Sequence, residues 1–309
     1  FLFFAEEKCD PVILEVGMGG ITDATNLITT TELAVLVPIS MDHQSFLGNT
    51  ISEIAEKKAG IIKPGSSVVT IGQETEALEV IKKTGAEAGA DVCVADVSEA
   101  EVLEADFTGQ RFCYKGEEYT LSLAGSYQTE NAVLALEALL ILDERGYHTT
   151  LEQRKEGLWA TRWNGRLTII HKDPLFIVDG AHNPAAADML EDSVRKYFKD
   201  RRLFFIMGVF KDKDYPYIIR KLCPYAEQIL AIETPDNPAG ELAKAIRPYN
   251  ANVRAEKNIP RAVEELFEMA GKDDVILSFG SLSFIGEITR IVNTRKEVSE
   301  VSSPEGNNE

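Results

Sequence analysis

An α/β fold built from two successive doubly wound halves is what this sequence predicts, and three observations carry that expectation. Short apolar runs alternate with helical stretches along nearly the whole chain, the pattern of parallel strands covered by helices. The alternation halts at Trp159-Ala160-Thr161-Arg162-Trp163-Asn164-Gly165-Arg166 and then restarts. A length of 309 residues favours two cores, each of domain size. The boundary is therefore drawn at 162/163, with one domain over 1–162 and a second over 163–295. The polar, charged stretch 296–309 has too few apolar residues to build structure and is expected to be a disordered tail.

The first residues, FLFFAEEK, read as the end of an amphipathic helix. Val12-Ile13-Leu14 then suits a strand buried on both faces, with Glu15 near its end and Gly17, Gly19 and Gly20 opening a loop. Ala34–Ile39 is a second buried strand, ending in Ser40-Met41-Asp42-His43-Gln44. Thr50 starts a helix with Glu53 placed for a capping box, and Gly60 is its C-cap. A strand at Ser67–Thr70, a helix at Glu74–Thr84 and a strand at Val92–Val94 follow. Phe112–Tyr114 and Tyr119–Leu121 form a hairpin. Long helices fit at about 126–144 and at Thr150–Leu158. Beyond the boundary, strands fit at Leu167–Ile170, Phe176–Val178, Leu203–Met207, Gln228–Ile232, Asn252–Arg254 and Val275–Ser278. Helices fit between them at Pro184–Phe198, Tyr215–Leu222, Gly240–Ile246 and Arg261–Ala270, with a closing helix at Phe284–Val292.

Composition narrows the function classes. Hydrophobic content of 44% and charged content of 27% are those of a globular protein in water. A net charge of −18 argues against nucleic acid or an anionic membrane as partner, while leaving room for a local cationic pocket. The four cysteines are dispersed and form no metal-type pair, which fits a reducing cytoplasm. No apolar run reaches the roughly 18 residues of a membrane span. A signal-peptide pattern is absent, and a helix tail running straight into a core strand is expected to be the start of a fragment.

Chemistry-bearing residues gather after strands. Ligands of open α/β sheets sit at strand carboxyl ends, so Glu15 and His43 are candidates. If their two strands are parallel neighbours, a carboxylate and an imidazole reach one sheet edge and can share a divalent cation. Each also reads as an ordinary loop residue, Glu15 capped by amides and His43 hydrogen-bonded in a turn. Asp179-Gly180-Ala181-His182-Asn183-Pro184 is the matching feature of the second half. Asn183 is its N-cap and Pro184 its first helical residue. This helix start suits a nucleotide whose ribose hydroxyls donate to Asp179, or it is a plain capped turn. Arg166, at the boundary, can reach phosphates or be a solvated linker arginine. Lys58 and Lys63 flank Gly60 and alone read as surface charge. Gln128 and Asn131, three apart, could read a purine edge or solvate a first helical turn. The Gly17–Gly20 loop invites a nicotinamide reading, but Thr22 stands where the third glycine belongs.

Taken in order, these pieces resemble the folylpolyglutamate synthase / dihydrofolate synthase family of the Mur ligase superfamily. The matching strings are LEVGMGGITDATN (14–26), SMDHQSFLG (40–48), EKKAGIIKPG (56–65), GSYQTENA (125–132), WNGR (163–166), IVDGAHNP (177–184), MGVFKDKDY (207–215) and LSFGSLSFIGEI (277–288). The resemblance implies an incomplete Mur-ligase-type P-loop ATPase domain followed by a Rossmann-like C-terminal glutamate ligase domain. It implies an ATP-dependent acid–amino-acid ligase that joins L-glutamate to folate or dihydropteroate. The acid attacks the γ-phosphate of ATP, and the amine of glutamate displaces phosphate from the acyl phosphate, a reaction that needs positioned cations more than covalent help from the protein.

Carried over by position, the resemblance makes Glu15 and His43 ligands of Mg2+ and Lys58 the lysine that the family carbamylates. Asn131, Arg166 and Asp179 become ATP contacts with His182 beside them, and Thr22, Asp23 and Ala24 become the pterin-facing loop. It also implies a cytoplasmic monomer, with no nucleic acid or membrane as partner. Three departures stand out. No glycine-rich phosphate loop occurs in the sequence, so the match reads as an N-terminally truncated member that alone does not turn over ATP. Ile21 replaces the usual arginine after the glycine pair. The stretch Thr234–Gly240 is shorter than usual and lacks the arginine after its proline. Two alternatives remain: a Mur-type cell-wall ligase acting on a UDP-linked acid, and a non-catalytic homologue that keeps the fold.

Overall fold

Local chemistry sets many of the element ends in the structure, a computed structural model that describes the backbone of residues 1–301 and the side chains of 1–295. The chain divides into two compact units, one of 1–100 with 130–154 and the other of 101–129 with 155–309. The sequence drew its line at 162/163; the units divide at 154/155, and residues 101–129 go with the second. Side-chain bonds within the second unit hold that insert, Thr129 Oγ1 to Gln110 Oε1 at 2.9 Å and Ser126 Oγ to Asp192 at 2.7 Å.

In the first unit, α1 (Leu2–Glu6) leads into β1 (Leu33–Leu36), α2 (Gln44–Leu47), α3 (Ile51–Ala59), β2 (Ser67–Ile71), α4 (Thr75–Ala88) and β3 (Asp91–Ala95). The strands form a parallel sheet in the order β1-β2-β3. Ala34, Leu36 and Val68 pack with Ile54, Ala55 and Ala59 of α3 and Ala77 and Ile81 of α4. The expected capping box is present: Thr50 Oγ1 accepts from the Glu53 amide at 3.2 Å and Glu53 accepts back from the Thr50 amide. At the exit of β1, Gln73 accepts from the Ile39 amide at 2.8 Å and donates to Thr70 Oγ1 at 2.7 Å. That clamp fixes the path towards His43.

The expected first strand is corrected. Residues 12–16 form no strand, and Ile13 is 93% exposed. An apolar run needs a neighbouring ladder to satisfy its backbone, and no strand among the described residues pairs with Val12–Leu14.

The second unit opens with β4 (Glu101–Asp106), β5 (Gly109–Tyr114) and β6 (Glu117–Leu121), an antiparallel sheet in that order. β4 escaped the sequence reading because Glu101, Glu104 and Asp106 break its apolar pattern; Arg111 of β5 pairs with Glu104 at 2.6 Å. Then come α5 (Tyr127–Glu144) and α6 (Leu151–Ala160), parts of which belong to the first unit. The larger sheet is made of β7 (Thr168–Lys172), β8 (Leu175–Val178), β9 (Leu203–Met207), β10 (Gln228–Ala231), β11 (Val253–Ala255) and β12 (Val275–Phe279). Its order is β11-β10-β9-β12-β8-β7, parallel except that β7 runs against β8.

Helices α7 (Pro184–Tyr197), α8 (Tyr215–Leu222) and α9 (Ala239–Ile246) cover one face, where Leu190, Val194, Ile218 and Leu242 meet Ile177, Phe205 and Leu277. On the other, α10 (Ile259–Met269) and α11 (Ile285–Val301) bring Val263, Leu266 and Ile288 against Val178, Ile206 and Ile276. Because β12 enters between β9 and β8, neighbouring connections leave on opposite faces, which opens a crevice at the strand carboxyl ends. The tail expected from Lys296 is helical as far as Val301; residues 302–309 lie outside the described residues. No helix among the described residues is long and apolar enough to cross a membrane.

Candidate functional site

Each unit carries its own candidate surface. In the first, the glycine loop lies on the C-terminal end of α3. The Ile21 amide donates to the Lys57 carbonyl at 3.0 Å, and Asn26 Nδ2 donates to the Gly60 carbonyl at 3.1 Å. These bonds use carbonyls that a helix end leaves without intrahelical partners. Gly20 is buried, and a Cβ there would lie 2.7 Å from the Lys57 oxygen and 2.9 Å from that of Lys58. Only glycine fits this approach.

Asp23 closes the loop. Its carboxylate accepts from the Met18 amide at 2.8 Å, the Thr25 amide at 2.9 Å and the Thr25 hydroxyl at 2.6 Å. The Thr25 hydroxyl, with the two amides, holds its pKa down at about 2. Thr22 and Ala24 are exposed on either side. Asp23 therefore shapes the surface that these two neighbours present.

Lys58 is half-buried in the last turn of α3. His43 takes a left-handed backbone (φ 50°) just ahead of α2; its amide donates to Asp42 Oδ1 at 2.8 Å and its Nε2 lies 4.0 Å from Asp42 Oδ2. Glu15 is exposed and sits on no strand, so the shared sheet edge expected for Glu15 and His43 lacks one of its two strands. Among the described residues no group of three or more His, Cys, Asp or Glu is placed to hold a metal ion. These residues do not enclose a cation by themselves. Asn131 is exposed on α5, whereas Gln128 is buried.

In the second unit, the turn after β8 and the turn before β7 are knitted together. Asp179 is 5% exposed; its Oδ1 accepts from the Ala181 amide at 2.8 Å and its Oδ2 from the Leu167 amide at 2.9 Å. Burial pushes its carboxyl pKa up, against the pull of those amides and of Arg166 and His182. The Gly180 amide donates to the Gly165 carbonyl at 2.8 Å, and Arg166 Nη1 donates to the same oxygen at 3.0 Å. His182 Nδ1 donates to the Gly180 carbonyl at 2.8 Å. Asn183 caps α7 by accepting from the Ala186 amide at 2.9 Å, with Pro184 first in the helix as expected. Arg166, Asp179 and His182 thus meet in one place, with Asp179 turned inward.

One member escaped the sequence reading. Tyr127, mostly buried at the start of α5, faces Asp179 and Arg166, and burial raises its phenol well above the ordinary value. Its only signal in the sequence is its place beside Gln128 in the 125–132 string.

Known proteins match this arrangement. The Mur ligase middle domain matches residues 1–139, and the Mur ligase, glutamate ligase domain matches 165–282. The dihydrofolate synthase/folylpolyglutamate synthase of Bacillus subtilis is 34% identical over 307 residues, covering 94% of this chain and 69% of its own length. The folylpolyglutamate synthase of Lacticaseibacillus casei is 33% identical, covering 77% of this chain and 57% of its own length. Among solved structures, folylpolyglutamate synthase from Thermotoga maritima superposes with a TM-score of 0.78 at 28% identity, covering 95% of this chain and 68% of that one. The Mycobacterium tuberculosis folylpolyglutamate synthase complexed with ADP and AMPPCP gives 0.78 at 30% identity, covering 96% and 70%.

Proposed function

The chain belongs to the Mur ligase family, in its dihydrofolate synthase/folylpolyglutamate synthase branch, and from that premise we propose that it serves the ATP-dependent joining of L-glutamate to folate or dihydropteroate through an acyl phosphate. The observation that carries the proposal is the 34% identity with the Bacillus subtilis enzyme over 307 residues.

The residues divide by what they can do. Arg166 offers a guanidinium suited to phosphate oxygens, whose developing charge it stabilises without reorganising. His182, with Nδ1 held on the Gly180 carbonyl, completes the nucleotide side of the second unit; Asn131, by its place in the family string, is proposed separately as an ATP contact. Thr22 and Ala24 face the pterin, on a loop whose shape Asp23 holds. Lys58 is the lysine to be carbamylated, which would exchange its ammonium for a carboxylate. Glu15 and His43 are the donors this chain would lend to a magnesium ion arriving with nucleotide phosphates, which takes only one or two protein ligands. The chain acts as a monomer in the cytoplasm.

The test supplies the remaining length of the relative. Residues 1–309 are grafted in place of the part of the Bacillus subtilis enzyme that they match, and glutamate-dependent phosphate release is measured beside residues 1–309 alone. The graft is expected to release phosphate and incorporate glutamate with dihydropteroate or a folate, and the chain alone to do neither. Incorporation only with a UDP-linked acid would favour the cell-wall ligase. No release with any acceptor would favour the non-catalytic homologue.

A further inference from the structure

We infer that Asn26 is a positioning residue: its side-chain amide pins the loop that bears Thr22 and Ala24 onto the last turn of α3, so that this loop and Lys58 are held in one register. The inference rests on the proposed reading of that loop as the pterin side and of Lys58 as the modified lysine, but its contacts are read from the fold alone.

Several contacts converge on Gly60, which ends α3. Asn26 Nδ2 donates to its carbonyl at 3.1 Å, across 34 positions of chain. Lys63 Nζ donates to the same oxygen at 3.4 Å, the longer of the two bonds. A Cβ on Gly60 would collide with Ile21 Cγ1 and lie 3.0 Å from the Ile21 Cα and amide nitrogen, so only glycine admits this seat. The Ile21 amide itself donates to the Lys57 carbonyl at 3.0 Å.

The loop is therefore tied to the helix end at two places, residues 21 and 26, and Thr22 and Ala24 are exposed between them. The Ile21 tie is a backbone bond. The second tie is made by the Asn26 side chain, from a backbone (φ −88°, ψ 25°) that departs from the short helical turn around it. Asp23 braces the loop from within, but its bonds stay inside residues 18–25. On the helix side, Lys58 precedes Gly60 by two residues, and its carbonyl accepts from the Gly60 and Ile61 amides. The oxygen that Asn26 holds thus belongs to the turn that closes around Lys58. Carbonyls at a helix end lack intrahelical partners, so an outside donor decides how this turn sits. An aspartate at position 26 would have the same shape and, as a carboxylate, no hydrogen to give.

The 309-residue chain and its Asn26→Asp and Asn26→Ala variants give the first readout, without ligand. Order parameters of the amides at 22–25 should be near those of rigid backbone, about 0.85, and fall below about 0.6 in both variants. The amides of Ile54 and Ala55, buried within α3, should keep theirs. Asn26→Asp matches the parent in shape and remains informative if the Ala variant does not fold. Unchanged order in the loop, or a loss that spreads through α3, overturns the inference.

The graft into the Bacillus subtilis enzyme gives the second readout. Per folded molecule and well below Tm, Asn26→Asp should lower kcat/KM for the folate or dihydropteroate acceptor about 10- to 100-fold, with the KM for ATP within about twofold of the parent. A lowered Tm with unchanged activity per folded molecule makes Asn26 a stabilising residue only and overturns the inference. If the parent graft is inactive with every acceptor, it is the ligase reading that fails, and the ligand-free readout still decides whether Asn26 holds the loop to α3.

Discussion

Replacing Gly20 by alanine probes the contact on which the glycine loop rests. The added methyl would meet two backbone oxygens, at 2.7 and 2.9 Å, and backbone cannot swing aside as a side-chain tip can. Either the last turn of α3 shifts or the loop lifts, which breaks the Ile21 amide bond to Lys57 and the Asn26 bond to Gly60. Overpacking of this kind costs about 1–3 kcal/mol, and each lost hydrogen bond about 0.5–1.5 kcal/mol. Against that, alanine narrows the unfolded ensemble and returns about 0.4–1 kcal/mol. The net expectation is a destabilisation of about 1–5 kcal/mol, a Tm lowered by at least about 2 °C, and faster exchange at the Ile21 amide. Gly72→Ala is the control, because nothing lies within 4 Å of its Cβ position; it should stay within about 0.5 kcal/mol of the parent. Thermal unfolding with amide exchange at Ile21 decides the matter. If Gly20→Ala melts with the parent and Ile21 keeps its protection, the loop does not rest on α3 as described.

Three further outcomes follow from named contacts. The Asp23 carboxyl is lowered from 3.8 to about 2 on folding, so its contribution to the loop is complete above about pH 4 and lost as pH falls towards 2; the Met18 and Thr25 amide resonances should move together in that window and stay still in Asp23→Asn. Thr50→Ala removes one side of the capping box and should cost about 0.5–2 kcal/mol in chemical denaturation, whereas Ser98→Ala, on an exposed turn, should cost under about 0.5 kcal/mol. Burial pushes the Cys223 thiol up to about 12 while Cys9 is exposed, so an aromatic disulfide reagent should label Cys9 at once and Cys223 only on unfolding.

The sequence by itself determined what short-range chemistry decides. Thr50 with Glu53, and Asn183 with Pro184, announce helix starts because their bonds close within three residues. The buried strand Leu203–Met207 and the helix Tyr215–Leu222 were legible to the residue, since apolar runs and periodicity mark them. The family strings located Arg166, Asp179 and His182 together. Tertiary structure decided everything that depends on a distant partner. Val12–Leu14 has the composition of a strand and is none, because pairing is a property of two segments. β4 has the composition of a loop and is a strand, because β5 offers it an edge and an arginine. Asp179 is the sharpest case. Its place after a strand suggested an outward carboxylate, and only the fold shows the Leu167 amide, twelve positions earlier, drawing it inward. A carboxylate turns to whichever donors spare it the cost of burial, and which donors those are is written in the packing.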